Sequence, residues 1–209
     1  MRISAERKDI PNKWYNVVPD LSFGIAPMMG SSGYPLSHHD LESLMAPPTV
    51  EQELEKNRRD IPIPEEILQL YSRWRPTPLY RAERFERSLG TPARISYKYE
   101  GGNPSGSHEM NTAIAQAYYA SQDKNVKWMV TATGNGEWGE SMAIACNYFG
   151  IRCKVYMVRS SYEQRVNGRY AMEILGAEVV AQPEQEDAYW KEDPGPESKL
   201  IRKLEYRPE

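Results

Sequence analysis

The sequence predicts an α/β protein with a parallel sheet flanked by helices and an extended N-terminal arm. Two observations predict this class. Between residues 64 and 181, short apolar segments typical of strands alternate with longer amphipathic segments typical of helices. Helices of this length between strands require right-handed crossovers, which give a parallel sheet covered on both faces.

Composition divides the 209 residues into three regions. Residues 1–60 are rich in proline and glycine without a sustained period, which predicts an arm that wraps the body or is partly disordered. Trp14 and Tyr15 favour wrapping, because aromatic rings need a surface to cover. Residues 61–181 form the α/β domain. Residues 182–209, with four prolines and eight acidic residues, predict a polar tail with a short helix at most.

The first elements of the domain follow from local signals. Pro64 opens a helix, because proline suits a first turn and the acids after it face the positive end of the helix dipole. Residues 94–100 alternate as a strand, and residues 107–121 carry one apolar stripe of a helix.

The later elements alternate regularly, and glycine ends both of the later helices. They are a strand at 127–131, a helix at 137–149 ended by Gly150, a strand at 152–158, a helix at 161–175 ended by Gly176, and a strand at 177–181.

The loop at 100–112 is the first candidate site, because we expect it at the carboxyl end of the parallel sheet, where such folds bind ligands. Ser107 is a candidate N-cap whose neighbouring N–H groups could hold an anion. The alternative is an ordinary turn and cap with His108 exposed.

The loop at 131–139 is the second candidate. Gly134, Gly136 and Gly139 satisfy the G-x-G-x-x-G pattern of dinucleotide-binding loops. Arg159 occupies the place of the acid that holds an NAD ribose, which disfavours NAD and leaves an NADP phosphate contact open. The alternative is that the glycines only allow tight packing of helix on strand.

Composition excludes several functions. The net charge of −3 offers no basic field for nucleic acid or for an anionic membrane. No apolar segment approaches the about 18 residues of a membrane span, and the N-terminus lacks the apolar core of a signal peptide, so we expect a cytoplasmic protein. Cys146 and Cys153 are expected to be buried, reduced thiols. We expect no metal site.

Longer segments carry a resemblance that covers nearly all of residues 10–181. They are similar to the tryptophan synthase β-chain-like family, in its branch with a long N-terminal extension, which belongs to the fold type II pyridoxal-phosphate enzymes. The segments are WYN (14–16), VPDL (18–21), IPIPEEILQLYSRWRPTPLYRA (61–82), TPARISYKYEG (91–101), NPSGSHEMNTAIAQAYYA (103–120), TATGNGEWG (131–139), CKVYMVRSSYEQR (153–165) and MEILGAEVV (172–180).

The resemblance implies roles for the first loop. Family members condense indole with a serine-derived aminoacrylate to make tryptophan, and the lysine of a Ser-His-Lys-x-Asn-Thr motif forms the Schiff base with the cofactor. Here Ser107, His108 and Asn111 match the motif, but Glu109 stands at the lysine position.

The resemblance also implies roles for the second loop. The family pattern Glu-Thr-Gly-Ala-Gly-Gln-Trp-Gly holds the substrate carboxylate, and its glutamate is an acid–base group. Here Ala132 replaces that glutamate, Asn135 the alanine and Glu137 the glutamine. The retained positions are Thr133, Gly134, Gly136 and Trp138.

These replacements predict an inactive protein that takes no cofactor. A carboxylate cannot form an imine, and a glutamate within about 6 Å would cost a bound anion about 2–3 kcal/mol at an effective dielectric near 20. Family members continue for roughly as many residues again, so we expect this chain to be the N-terminal half, without the phosphate-binding half. It would then act as a scaffold or partner subunit.

Other hypotheses remain open. A second chain could complete a pyridoxal-phosphate-dependent lyase, or the altered pocket could bind another small ligand through Glu109, Glu137, His108 and Asn111. The last hypothesis is that the glycine loop and Arg159 bind NADP. Apolar surface left by the absent half predicts a homo-oligomer, or a complex with a chain resembling the missing C-terminal half.

Overall fold

The computed structural model describes residues 2–3 and 6–182, so the predicted tail lies outside the described residues except for Gln182. Short elements make up the N-terminal arm. They are strand β1 (Arg2–Ile3), a 3-10 turn (Arg7–Asp9), strand β2 (Lys13–Tyr15), a second 3-10 turn (Val18–Asp20), helix α1 (His38–Glu42), helix α2 (Pro47–Leu54) and strand β3 (Asp60–Pro62).

Longer elements make up the body that follows. They are α3 (Glu65–Tyr71), β4 (Leu79–Arg81), α4 (Glu83–Leu89), β5 (Ser96–Lys98), α5 (Glu109–Gln122), β6 (Trp128–Thr133), α6 (Glu137–Phe149), β7 (Arg152–Val158), α7 (Arg159–Gln164), α8 (Val166–Ile174) and β8 (Glu178–Gln182).

The predicted α/β class is confirmed by a parallel sheet with the strand order β6-β7-β8. On one face of this sheet, Cys153, Val155 and Met157 are buried together with residues of α6 and α8. Their alternation with Lys154 and Tyr156 is the period of a strand that has one buried face.

The opposite face corrects the prediction that helices cover the sheet on both sides. Trp128, Val130 and Val158 point to this face and are 38%, 60% and 48% exposed. No residue of β6, β7 or β8 on this face is buried in the described part of the chain. Crossover length predicts strand direction, but it does not predict which face a helix covers.

The predicted strand at 94–100 is also different. Only Ser96–Lys98 form a strand, and it belongs to a separate antiparallel sheet of order β1-β4-β5. The loop after it therefore does not leave the parallel sheet, contrary to the prediction. Alternating apolar and polar side chains indicate a strand, but they do not indicate which strand it pairs with. The sequence therefore could not show that this strand lies outside the parallel sheet.

The helix predicted at 161–175 is two helices, α7 and α8. Arg165 separates them with φ −103° and ψ 56°, outside the helical region. The apolar period continues across this break, so the pattern gave no sign of it. Helix α6, in contrast, has the predicted bounds and ends at Gly150, which adopts a left-handed conformation.

Helices α5 and α6 pack against each other in the centre of the core. Small residues such as Ala113 and Ala117 on α5 and Ala143 on α6 are fully buried, which lets the two backbones approach. The arm reaches this core through the antiparallel pair of strands β2 and β3, where Trp14 pairs with Ile61. Along residues 2–3 and 6–182, no helix is long and apolar enough to cross a membrane.

Candidate functional site

A cleft of about 450 Å³ opens where β6 ends and α6 begins. The loop between these elements, the first turn of α6 and the junction of α7 with α8 enclose it. Its lining residues are Asn135, Gly136, Glu137, Glu140, Gln164, Arg165, Val166, Asn167 and Gly168. This is the carboxyl end of a parallel strand, where α/β folds place ligands.

The glycine loop is shaped by Gly136. Its φ of +115° suits a residue without a side chain, and it precedes the first helical residue of α6. Buried Thr133 fixes the turn, because its Oγ1 accepts a hydrogen bond from the Gly136 N–H at 3.2 Å. Trp138 donates from Nε1 to Thr131 Oγ1 at 2.6 Å. The retained motif residues thus hold the loop in place.

Gly139 allows close packing rather than contact with a ligand. A Cβ at this position would lie 2.8 Å from both Met172 Sδ and Val155 Cγ1. Arg159, the residue on which the NADP hypothesis depends, lies 3.9 Å from the carboxylate of Glu163. This geometry favours the packing interpretation of the glycine pattern.

Acidic groups dominate the charge of the cleft. Glu137 lies 3.5 Å from the guanidinium of Arg165. Burial raises the pKa of Glu140, and the nearby Glu137 carboxylate raises it further. Both acids stand in the first turn of α6, where the positive end of the helix dipole favours negative charge. Side-chain carboxylates therefore already place negative charge near the helix end that would attract an anion.

The first loop ends at the N-terminus of α5. The N-cap is His108, not Ser107 as predicted, and its side chain makes no cap hydrogen bond. The Ser107 hydroxyl instead accepts from the Glu109 N–H at 3.3 Å and lies 3.3 Å from Glu109 Oε2. Glu109 is thus the first residue of α5, half-buried and bonded to its own loop.

The predicted site residues do not converge on one pocket. Asn135, Gly136 and Glu137 line the cleft, whereas the three residues Ser107, His108 and Glu109 are absent from its lining. Ala132 points to the exposed face of the sheet with Val130. The remaining residues, Thr133, Gly134 and Trp138, support the loop without lining the cleft.

The Asn111 side chain does not line the first cleft. Its Oδ1 accepts from Trp74 Nε1 at 3.1 Å, and its Nδ2 donates to the His108 carbonyl at 3.0 Å. Both ends of the amide therefore hold α5 to its surroundings.

Sequence reasoning missed six of the nine residues that line the cleft. Glu140, Gln164, Arg165 and Asn167 line it, yet no motif marked them. Gly168, a glycine inside a helix, is the one residue among them with an unusual sequence signal, but no atom lies within 4 Å of where its Cβ would be, so the signal does not reflect close packing. No cluster of three or more His, Cys, Asp or Glu able to hold a metal occurs in the described residues.

The residues present do not fit a lysine-bound pyridoxal phosphate. The position that the resemblance assigns to the lysine carries the Glu109 carboxylate, and no lysine lines the cleft. Lys98, the nearest lysine before the loop, lies in β5 of the antiparallel sheet and donates to the Thr77 carbonyl. No catalytic step through this cofactor follows from the described geometry.

The fold and site define an α/β protein with a glycine loop at the carboxyl end of a parallel strand, a class that binds small ligands. A sequence profile of the pyridoxal-phosphate-dependent enzymes matches residues 71–201. The chain belongs to this family, and the predicted resemblance to its tryptophan synthase β-chain-like branch is confirmed.

Two tryptophan synthase beta chains illustrate the similarity in sequence. The chain is 44% identical over 183 residues to tryptophan synthase beta chain 2 of Methanosarcina mazei, covering 87% of this chain and 41% of that protein. It is 44% identical to tryptophan synthase beta chain 2 of Pyrococcus furiosus, covering 88% and 42%. A solved pyridoxal 5'-phosphate-dependent aspartate racemase matches at 22% identity with a TM-score of 0.45, covering 69% of this chain and 46% of that chain. The chain spans less than half the length of these curated relatives.

Proposed function

We propose that this chain is a non-catalytic member of the tryptophan synthase β-chain-like branch that serves as a scaffold or partner subunit in the cytoplasm. The observation that carries the proposal is Glu109 at the start of α5, where the resemblance places the Schiff-base lysine. A carboxylate has no amine with which to form an imine, so the covalent link to the cofactor is lost.

Charge around both loops supports the same proposal. Helices α5 and α6 each begin with a glutamate, Glu109 and Glu137, and α6 adds Glu140 in its first turn. Helix N-termini bind phosphates and carboxylates through their exposed N–H groups and their dipoles. Here the carboxylates of the protein itself interact with these dipoles and would repel an anionic cofactor or substrate.

An absorbance titration with pyridoxal phosphate tests this proposal. We expect no visible aldimine band in the purified chain, and no cofactor adduct at residues 107–112 after borohydride reduction and peptide mass spectrometry. Reduction is needed because surface lysines also form imines, and mass spectrometry separates them from a specific site. A stoichiometric adduct in the unaltered chain would contradict the proposal.

Two variants locate the cause. Glu109→Lys restores the amine, and Glu109→Gln removes only the charge. An adduct at position 109 in Glu109→Lys alone would show that the amine is limiting. If neither variant forms an adduct, the loss of cofactor binding lies with Glu137, with Ala132 or with groups that this sequence does not supply. Under either outcome the unaltered chain is non-catalytic.

The exposed face of the parallel sheet supports the role of partner subunit. Trp128, Val130 and Val158 are exposed apolar residues on a face that α/β sheets ordinarily cover. The same face also carries Arg152, which stacks on Trp128, and the Lys154–Glu178 ion pair. We propose that a second copy of the chain, or a polypeptide resembling the remaining length of the relatives, covers this face. Light scattering after size exclusion is expected to show a dimer, or a complex when that polypeptide is added.

A charge placed on that face provides the control. Val130→Lys is expected to dissociate the assembly, whereas Asn125→Lys, at an exposed position just before β6, leaves it intact. A stable monomer that does not bind the added polypeptide would contradict the proposed partner role.

A further inference from the structure

A second cleft, of about 470 Å³, lies between the N-terminal arm and helices α2, α3 and α5. It shares no lining residue with the first cleft. The paired strands β2 and β3 close one side, and residues Asn111 to Tyr119 of α5 form another. This cleft needs its own explanation, because the glycine loop and Glu109 take no part in it.

Aromatic rings form its walls. The centroids of Trp14 and Tyr119 are 6.4 Å apart with an interplanar angle of 56°, and Tyr71 is buried at the same cleft. Tyr15 also lines the cleft and is 60% exposed. Small-molecule sites are typically concave and aromatic, with a few polar groups that fix orientation.

Among several polar residues that line this cleft in the described part of the chain, Arg75 is the one cation. Its guanidinium lies 4.8 Å from the centroid of the Tyr71 ring, and the residue is half-buried. Within residues 2–3 and 6–182 it has no carboxylate partner, unlike Arg81, which donates to Glu86 at 2.7 Å. Glu53 also lines the cleft, but it is exposed to water and makes no ion pair with Arg75.

Hydrogen bonds hold the aromatic residues beside Arg75 in place before any ligand binds. The Tyr71 hydroxyl donates to the Asn111 carbonyl at 2.6 Å, and Trp74 Nε1 donates to Asn111 Oδ1 at 3.1 Å. The ring beneath the guanidinium therefore cannot turn freely. A preformed planar guanidinium binds a carboxylate through two parallel hydrogen bonds at low entropic cost.

We propose that this cleft binds a small aromatic carboxylate, with its ring against Trp14 and Tyr119 and its carboxylate on Arg75. The aromatic walls select a flat apolar group, and the guanidinium selects an anion. This site is independent of the proposed function, because it uses neither Glu109 nor the glycine loop.

Calorimetric titration of the unaltered chain with three probes tests the proposal. The probes are 3-phenylpropionate, its neutral amide 3-phenylpropionamide, and butyrate, which has the charge without the ring. We expect saturable binding of 3-phenylpropionate, with each of the other two at least roughly tenfold weaker, since a hydrogen bond to a charged group contributes about 1.5–3 kcal/mol and 1.4 kcal/mol is tenfold. No saturation by the acid, or equal binding of acid and amide, would overturn the site.

Two arginine variants complete the test. Arg75→Ala is expected to weaken binding of 3-phenylpropionate by roughly tenfold or more, and Arg75→Lys to weaken it less. Arg73→Ala is the matched control, because Arg73 also stacks on a tyrosine, 5.5 Å from the Tyr148 centroid, but does not line the cleft. Equal loss in Arg73→Ala and Arg75→Ala would overturn the assignment. If Arg75→Ala fails to fold, the acid and amide comparison on the unaltered chain decides alone.

Discussion

The side-chain hydroxyl of Ser141 lies 2.8 Å from that of Ser105, so a fully buried serine of α6 joins the two loops that carry the family motifs. The same hydroxyl is 2.9 Å from the Glu137 carbonyl, in the first turn of α6. Asn103 and Ser107 extend this network through the first loop. The two loops therefore keep a fixed relation although their elements belong to different sheets.

Ser141→Ala should destabilise the protein by about 1–3 kcal/mol, because it leaves a buried network without one hydroxyl. Equilibrium urea unfolding measures the change. Ser88→Ala is the matched control, since the Ser88 hydroxyl also bonds to a carbonyl of the preceding helical turn, that of Phe85, but at an exposed position of α4. Equal losses in the two variants would show that the link between the loops contributes nothing.

Gly139→Ala should destabilise the protein by about 1–3 kcal/mol, because the added methyl group would meet Met172 and Val155 at 2.8 Å. Gly168→Ala, inside α8, has open space around its Cβ and should stabilise the protein by about 0.5–1 kcal/mol. Thermal unfolding of both variants gives the comparison. Tolerance of alanine at position 139 would remove the packing explanation for the glycine pattern.

Local signals in the sequence predicted the elements well where those signals were complete. The bounds of α6 follow from the glycine loop before it, its apolar stripe and Gly150 after it. Strand β7 also has its predicted bounds, because residues 153, 155 and 157 are apolar and buried. In both cases the information lies within a few residues of the element itself.

Relations between distant elements could not be predicted in the same way. The pairing of β5 with β4, and the uncovered face of the parallel sheet, depend on contacts that side-chain period does not encode. The first cleft joins Glu137 to Arg165, 28 residues apart, through the path of the chain across the sheet. The cleft at Arg75 likewise depends on how the arm meets α5.

The pH dependence of stability should report Glu140. Burial, and then the charge of Glu137, raise its pKa in the folded state above the ordinary glutamate value of 4.5. The folded state therefore holds this proton more tightly than the unfolded state, and stability falls as pH rises from about 4.5 through the raised value. Glu140→Gln should be more stable than the wild type at neutral pH, with a difference that vanishes below pH 4.5. Urea unfolding between pH 4 and 8 measures it, and parallel curves would contradict the prediction.

Tyr71 should control stability at alkaline pH. Burial raises its pKa to about 12 from the ordinary tyrosine value of 10.0, so the unfolded state loses this proton first and stability falls as pH rises above 10. Tyr71→Phe should lower stability at pH 7 by about 1 kcal/mol, through loss of the bond to the Asn111 carbonyl, and should reduce the alkaline slope. Tyr34→Phe, at a ring that is 73% exposed, should leave stability at pH 7 unchanged. Unfolding curves at pH 7 and at steps above pH 9 separate the two effects, and an unchanged alkaline slope in Tyr71→Phe would show that another group causes the loss.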